Sequence, residues 1–108
     1  MTQEKRKFSR ISEQCVITYS AAPDYKSKRK ISADLSAGGL RFISDHFLPL
    51  GSIVRIQLSL KYIPRVINAV AKVTRVKEIF DDECYEVGAE FVDIARPDLR
   101  FLHKYLDR

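Results

Sequence analysis

The chain is short of the residues from which catalytic and metal centres are most often built. It has two cysteines, Cys15 and Cys84, with no CxxC pair and no histidine near either, so zinc-type ligand spacing is missing. Its two histidines, His46 and His103, lie far apart in an expected loop and an expected helix and read as surface residues. No metal site and no cofactor are expected. No nucleophile stands beside a base, no carboxylate pair shares an apolar setting, and Gly38-Gly39 leads into a strand pattern where a phosphate loop would open a helix. The chain therefore does not read as an enzyme. No apolar stretch approaches the roughly 18 residues of a membrane span, and Met1-Thr2-Gln3-Glu4-Lys5-Arg6 leads into no apolar run of the kind a signal peptide carries. These absences favour a soluble cytoplasmic protein with no membrane insertion.

What is present fits a single domain. A chain of 108 residues is long enough to bury roughly two thirds of its unfolded surface in one core. The net charge of +5 is concentrated in two clusters, Lys5/Arg6/Lys7/Arg10 and Lys26/Lys28/Arg29/Lys30. Clustering points to a localised anion as partner rather than to solubility alone.

The dominant rhythm is period two, the mark of half-buried strands. Cys15, Ile17 and Tyr19 share one face, Val54, Ile56, Leu58 and Leu60 another, and Tyr85, Val87, Ala89 and Phe91 a third. Within that alternation Cys15 reads as core filler, since a free cysteine packs as a small hydrophobe. Turn residues punctuate the strands at Ala22-Pro23-Asp24, Asp45 to Gly51, Tyr62-Ile63-Pro64 and Asp81-Asp82-Glu83. From Val66 to Glu78 two phases compete, Ile67/Ala69/Ala71/Val73 against Val66/Val70/Val76, which predicts a bulge or burial on both sides. Several short strands divided in this way imply a sheet closed on itself. After Asp93 the period lengthens: Pro97 suits a first helical turn, Asp98 complements a helix N-terminus, and Leu99, Leu102 and Leu106 recur at helical spacing. Phe101 and Tyr105 widen that stripe, so a short C-terminal helix should plug one end or side of the barrel.

Two short patterns carry the functional reading. Arg6 and Arg10 form RxxxR, and Asp34, Ser36 and Gly39 form DxSxxG some two dozen residues later. An arginine fork donates in a plane to phosphate oxygens and matches the O6/N7 edge of guanine bidentately. A carboxylate at Asp34 can accept from guanine N1-H and N2-H, Ser36 supplies a hydroxyl, and glycine lets backbone approach a ring. If Ile31, Ala33 and Leu35 face inward, Asp34 and Ser36 face outward together, and Leu40 and Phe42 resume the inward phase and leave Arg41 outward beside them. The plainer readings are a solvated basic tail for the arginines and, for residues 34–39, a hairpin turn closed by Asp and Ser with a glycine at positive φ.

The pair of motifs, in this order on a chain of this length, resembles the signature of the PilZ family of cyclic di-guanylate (c-di-GMP) receptors. The resemblance covers nearly the whole chain and implies an all-β fold with one helix: a small antiparallel six-stranded β-barrel (residues 14–94), a mobile N-terminal ligand-binding segment (1–13) and a C-terminal α-helix (95–108). It implies a receptor for a bacterial second messenger, with Arg6 and Arg10 on phosphate and guanine, Asp34 and Ser36 on a guanine edge, Gly39 permitting close approach, and Lys5, Phe8, Gly38 and Arg41 as auxiliary contacts. The ligand it implies is c-di-GMP, and a protein partner would take the signal onward in signal transduction. Many relatives that hold a stacked ligand dimer have arginine directly before RxxxR; here that position is Lys5, a point charge without a planar fork, and one versus two ligand molecules stays open. Two other readings are a basic barrel that binds single-stranded RNA or DNA and a PilZ-like adaptor that works without ligand. Nucleic acid is disfavoured because the outward strand faces show no ladder of exposed aromatics for base stacking.

Overall fold

A computed structural model describes residues 15–22, 26–32, 34–60, 64–79 and 84–106. Alternation becomes strand where it was read. The strands β1 (Cys15–Ala21), β5 (Ile53–Ser59), β6 (Val66–Ile79) and β7 (Cys84–Ile94) are the periodic runs; β2 (Lys28–Ser32) leads into β3 (Asp34–Ser36) and β4 (Gly39–Ser44), which contain the second motif. All neighbours are antiparallel in the order β2-β1-β5-β6-β7-β4-β3. β2 and β3 stand at opposite ends of that order, yet only residue 33 separates them in sequence. The sheet must therefore curl until its ends meet, and β2 indeed lies against β4. Counted as one strand changing partner from β1 to β4, the β2–β3 stretch is the sixth strand of the expected barrel.

The inward set fills this curl. Ile17, Leu35, Phe42, Val54, Leu58, Ile67, Val73 and Val87 are fully buried, and Cys15 joins them. Such burial stabilises by roughly 1.5–3 kcal/mol per large apolar side chain. The core's one buried polar side chain among the described residues is Ser44. Its hydroxyl donates to the His46 carbonyl at 2.8 Å and accepts from the His46 N–H at 3.1 Å. With its single proton committed, it accepts from the Tyr19 hydroxyl, 3.1 Å away. The polar tip of Tyr19 is thereby satisfied while its ring packs on Phe42, centroids 4.6 Å apart.

The competing phases of β6 resolve as bulges. Its register against β7 slips between Val70 and Ala71 and again between Val73 and Arg75. At the second slip two successive residues, Thr74 and Arg75, face solvent and the inward phase resumes at Val76, which packs against the core. The α-helix α1 (Arg96–Leu106) presses Leu102, Tyr105 and Leu106 into the barrel, with Leu99 and Phe101 at the margin. Asp98 in its first turn pairs with Arg65 at 2.8 Å, and that guanidinium lies 4.6 Å over the Phe101 ring. No helix among the described residues is long and apolar enough to cross a membrane.

Candidate ligand-binding site

The DxSxxG stretch forms the hairpin β3–β4. Asp34 pairs with Arg41, Leu35 with Leu40 and Ser36 with Gly39, leaving Ala37 and Gly38 as the turn. Leu35 and Leu40 point into the core, which puts Asp34, Ser36 and Arg41 on the outer face as alternation requires. The Ser36 hydroxyl accepts from the Gly38 N–H at 3.2 Å and donates to the Gly39 carbonyl at 3.3 Å, so it closes its own turn. The expected positive φ lies elsewhere, at Gly51 with φ 85°.

Gly39 has a packing reason to be glycine. A Cβ built there would stand 2.2 Å from the Ala89 carbonyl oxygen, inside any tolerable contact, so its bareness lets β4 approach β7. The Phe91 N–H then donates to the Gly38 carbonyl at 2.9 Å and ties the turn down.

Register extends the hairpin into a lattice across four strands. One row reads Asp34, Arg41, Gly88, Arg75 and the next Ser36, Gly39, Glu90, Lys72. Arg41 bonds Asp34 at 3.0 Å with one guanidinium nitrogen and Glu86 at 3.1 Å with the other. It holds the Asp34 carboxylate, only 15% exposed, in a fixed place. A cleft of about 340 Å³ opens over this lattice, with Asp34, Ser36, Gly39, Arg41, Thr74, Arg75, Gly88 and Glu90 among its lining. A larger groove of about 600 Å³ lies elsewhere, over Thr18, Ser20, Arg55, Gln57, Asn68 and Asp93, and holds none of the motif residues.

Of the sequence-derived candidates, Asp34, Ser36, Gly38, Gly39 and Arg41 come together around one cleft. Lys5, Arg6, Phe8 and Arg10 lie outside the described residues. Thr74, Arg75, Glu86, Gly88 and Glu90 were not anticipated, because they arrive from β6 and β7 by long-range pairing. His46 and His103 are exposed and unrelated to the cleft. No group of three or more metal-ligating side chains occurs among the described residues.

A curled antiparallel sheet carrying a DxSxxG hairpin on its outer face, with a helix against its core, is the architecture of a PilZ domain. The sequence matches the PilZ domain family over residues 4–108, and the chain belongs to that family. No curated protein matches it. Among solved structures, the Bacillus subtilis inhibitor of motility MotI/DgrA is similar at a TM-score of 0.83 and 23% identity, over 98% of this chain and 51% of that one. The PilZ domain of Escherichia coli YcgR, solved with c-di-GMP, is similar at 0.72 and 18% identity, over 96% of this chain and 90% of that domain. The K. pneumonia MrkH–c-di-GMP complex is similar at 0.76 and 19% identity, over 96% and 51%. The chain thus spans about half the length of MotI/DgrA and MrkH.

Proposed function

We propose that this chain is a c-di-GMP receptor in the cytoplasm, with no catalytic step of its own. It takes the dinucleotide on the outer face of β3, β4, β6 and β7, orders its N-terminal arginine segment around it, and signals to a protein partner. The observation that carries this reading is the register at the start of β1: Cys15 pairs with Ser32, two residues before Asp34. β1 thus begins against the strand that leads through residue 33 into DxSxxG, which supports bringing the arginines upstream of it to that face. Arg10 is five residues before Cys15 and so lies within about 18 Å of it in any conformation.

Charge supports a second contributor to the site. The ionisable residues lining the cleft are Asp34 and Glu90 against Arg41 and Arg75, two negative and two positive. A dinucleotide with two phosphates needs a positive excess that these four do not supply, and Lys5, Arg6 and Arg10 would bring it. Ordering a segment on binding costs about 2–5 kcal/mol, while each charge-assisted hydrogen bond contributes about 1.5–3 kcal/mol. Several such bonds offset the cost and leave room for micromolar or tighter binding, about −8 kcal/mol. The c-di-GMP complexes of YcgR and MrkH, which share the fold, support the choice of ligand.

Calorimetric titration with c-di-GMP, GMP and single-stranded RNA side by side tests the reading. Micromolar or tighter binding of c-di-GMP with far weaker binding of GMP is expected. Binding of RNA alone would favour a nucleic-acid barrel, and no heat with any of them would favour an adaptor that works by protein contact.

A further inference from the structure

Strict alternation along β6 would turn Thr74 outward and Arg75 inward. The bulge after Val73 breaks that phase and leaves both exposed on the wall of the cleft. Across β7 the partner of Arg75 is Gly88, and the partner of Gly88 on its other side is Arg41. Two guanidinium-bearing strands therefore flank a strand position that has no side chain. Neighbouring strands are about 4.8 Å apart, so the backbones of Arg41 and Arg75 stand about 10 Å apart with a notch between them. A Cβ at Gly88 would lie 3.3 Å from the Arg75 Cβ, which means any side chain there would crowd the notch. The two arginines are not equivalent. Arg41 is shared between Asp34 and Glu86, whereas Arg75 makes no ion pair among the described residues. The Thr74 hydroxyl sits at the same edge, 3.4 Å from the Gly88 carbonyl.

We propose that the Gly88 notch is a phosphate seat, with Arg75 as the cation that binds a ligand phosphate and Arg41 as its opposite wall. The seat rests on the c-di-GMP reading and adds to it a contact from β6 that lies in neither sequence motif. It also gives the β6 bulge a use, since without it Arg75 would point inward.

The test is titration of c-di-GMP into the wild-type chain and three variants at one position, with melting recorded for each. Arg75→Ala should weaken binding about tenfold, the loss of one charge-assisted contact, and Arg75→Glu should weaken it further. Arg75→Lys should stay within about threefold of wild type, because a point charge suffices for a phosphate while a guanine edge requires the fork. Melting should be unchanged in all three, since the side chain is exposed. Arg75→Glu binding as tightly as wild type would overturn the seat and leave the receptor reading intact. Arg75→Lys as weak as Arg75→Ala would overturn the phosphate assignment in favour of a base contact. A wild-type chain that takes no c-di-GMP would overturn both the reading and the seat.

Discussion

Asp34 is the residue at which the proposed guanine recognition and folding overlap, because its carboxylate is held by Arg41 at 3.0 Å while facing the cleft. Replacing Asp34 with alanine would remove the proposed guanine-edge acceptor and release positive charge on Arg41. The expected outcome is loss of selectivity for c-di-GMP over c-di-AMP, with general attraction for phosphate kept or raised. Competition between the two dinucleotides measures it, and unchanged selectivity would reduce Asp34 to a partner of Arg41. Stability should fall by less than about 1 kcal/mol, since ion pairs at a partly exposed face contribute little. The N-terminal arginines are expected to act on affinity alone. Arg6→Ala and Arg10→Ala should each weaken c-di-GMP binding by about tenfold or more, through loss of about 1.5–3 kcal/mol, with melting unaltered. Normal binding by either variant would assign that arginine to a solvated tail.

At the scale of elements, the hairpin and its seating on β7 decide the shape of the site. Leu35 and Leu40 anchor β3–β4 to the core, and Gly39 sets how near β4 comes to β7. Gly39→Ala should force the hairpin outward, because the added Cβ would meet the Ala89 carbonyl oxygen, a backbone atom that cannot rotate away. A loss of about 1–3 kcal/mol is expected, typical of overpacking, together with weaker c-di-GMP binding. Chemical denaturation checks the first and calorimetry the second; a stable variant that binds poorly would instead place the ligand itself against Gly39. Much of this scale was legible in the sequence. The outward placement of Asp34, Ser36 and Arg41 followed from alternation with Leu35, Leu40 and Phe42, and the phase conflict after Val66 pointed to a bulge or to burial on both sides, of which the bulge is found. The registers were not legible, because nothing local says that Gly88 falls between Arg41 and Arg75 or that Glu86 reaches Arg41. Those pairings depend on how far the strands slide, which bulges in both β6 and β7 adjust. The bulge was nonetheless the signal that could have led to Arg75, since a slip of one residue turns an inward position outward.

For the whole molecule, the curl of the sheet brings the start of β1 near the strand that leads into the candidate site. β1 begins beside the end of β2, the same chain continues into β3 within two residues, and the helix packs on the core without lining the cleft. The proposed signal through the N-terminal segment would need no rearrangement of the barrel, whose buried side chains are closely packed and costly to shift. Hydrogen exchange should resolve this division. Backbone amides from Lys5 to Ser12 are expected to exchange more slowly with c-di-GMP than without it, while those of β1, β5 and β6 change little. The segment has few apolar residues besides Phe8 and Ile11, so its ordering would depend chiefly on the ligand's charge. Phe8 lies midway between the two arginines and would add a hydrophobic latch; Phe8→Ala should weaken binding, reduce the protection and leave melting of the free protein where it was. Full protection of Lys5 to Ser12 before any ligand is added would instead mean a preformed site, and the output to a partner would have to arise from the barrel or the helix.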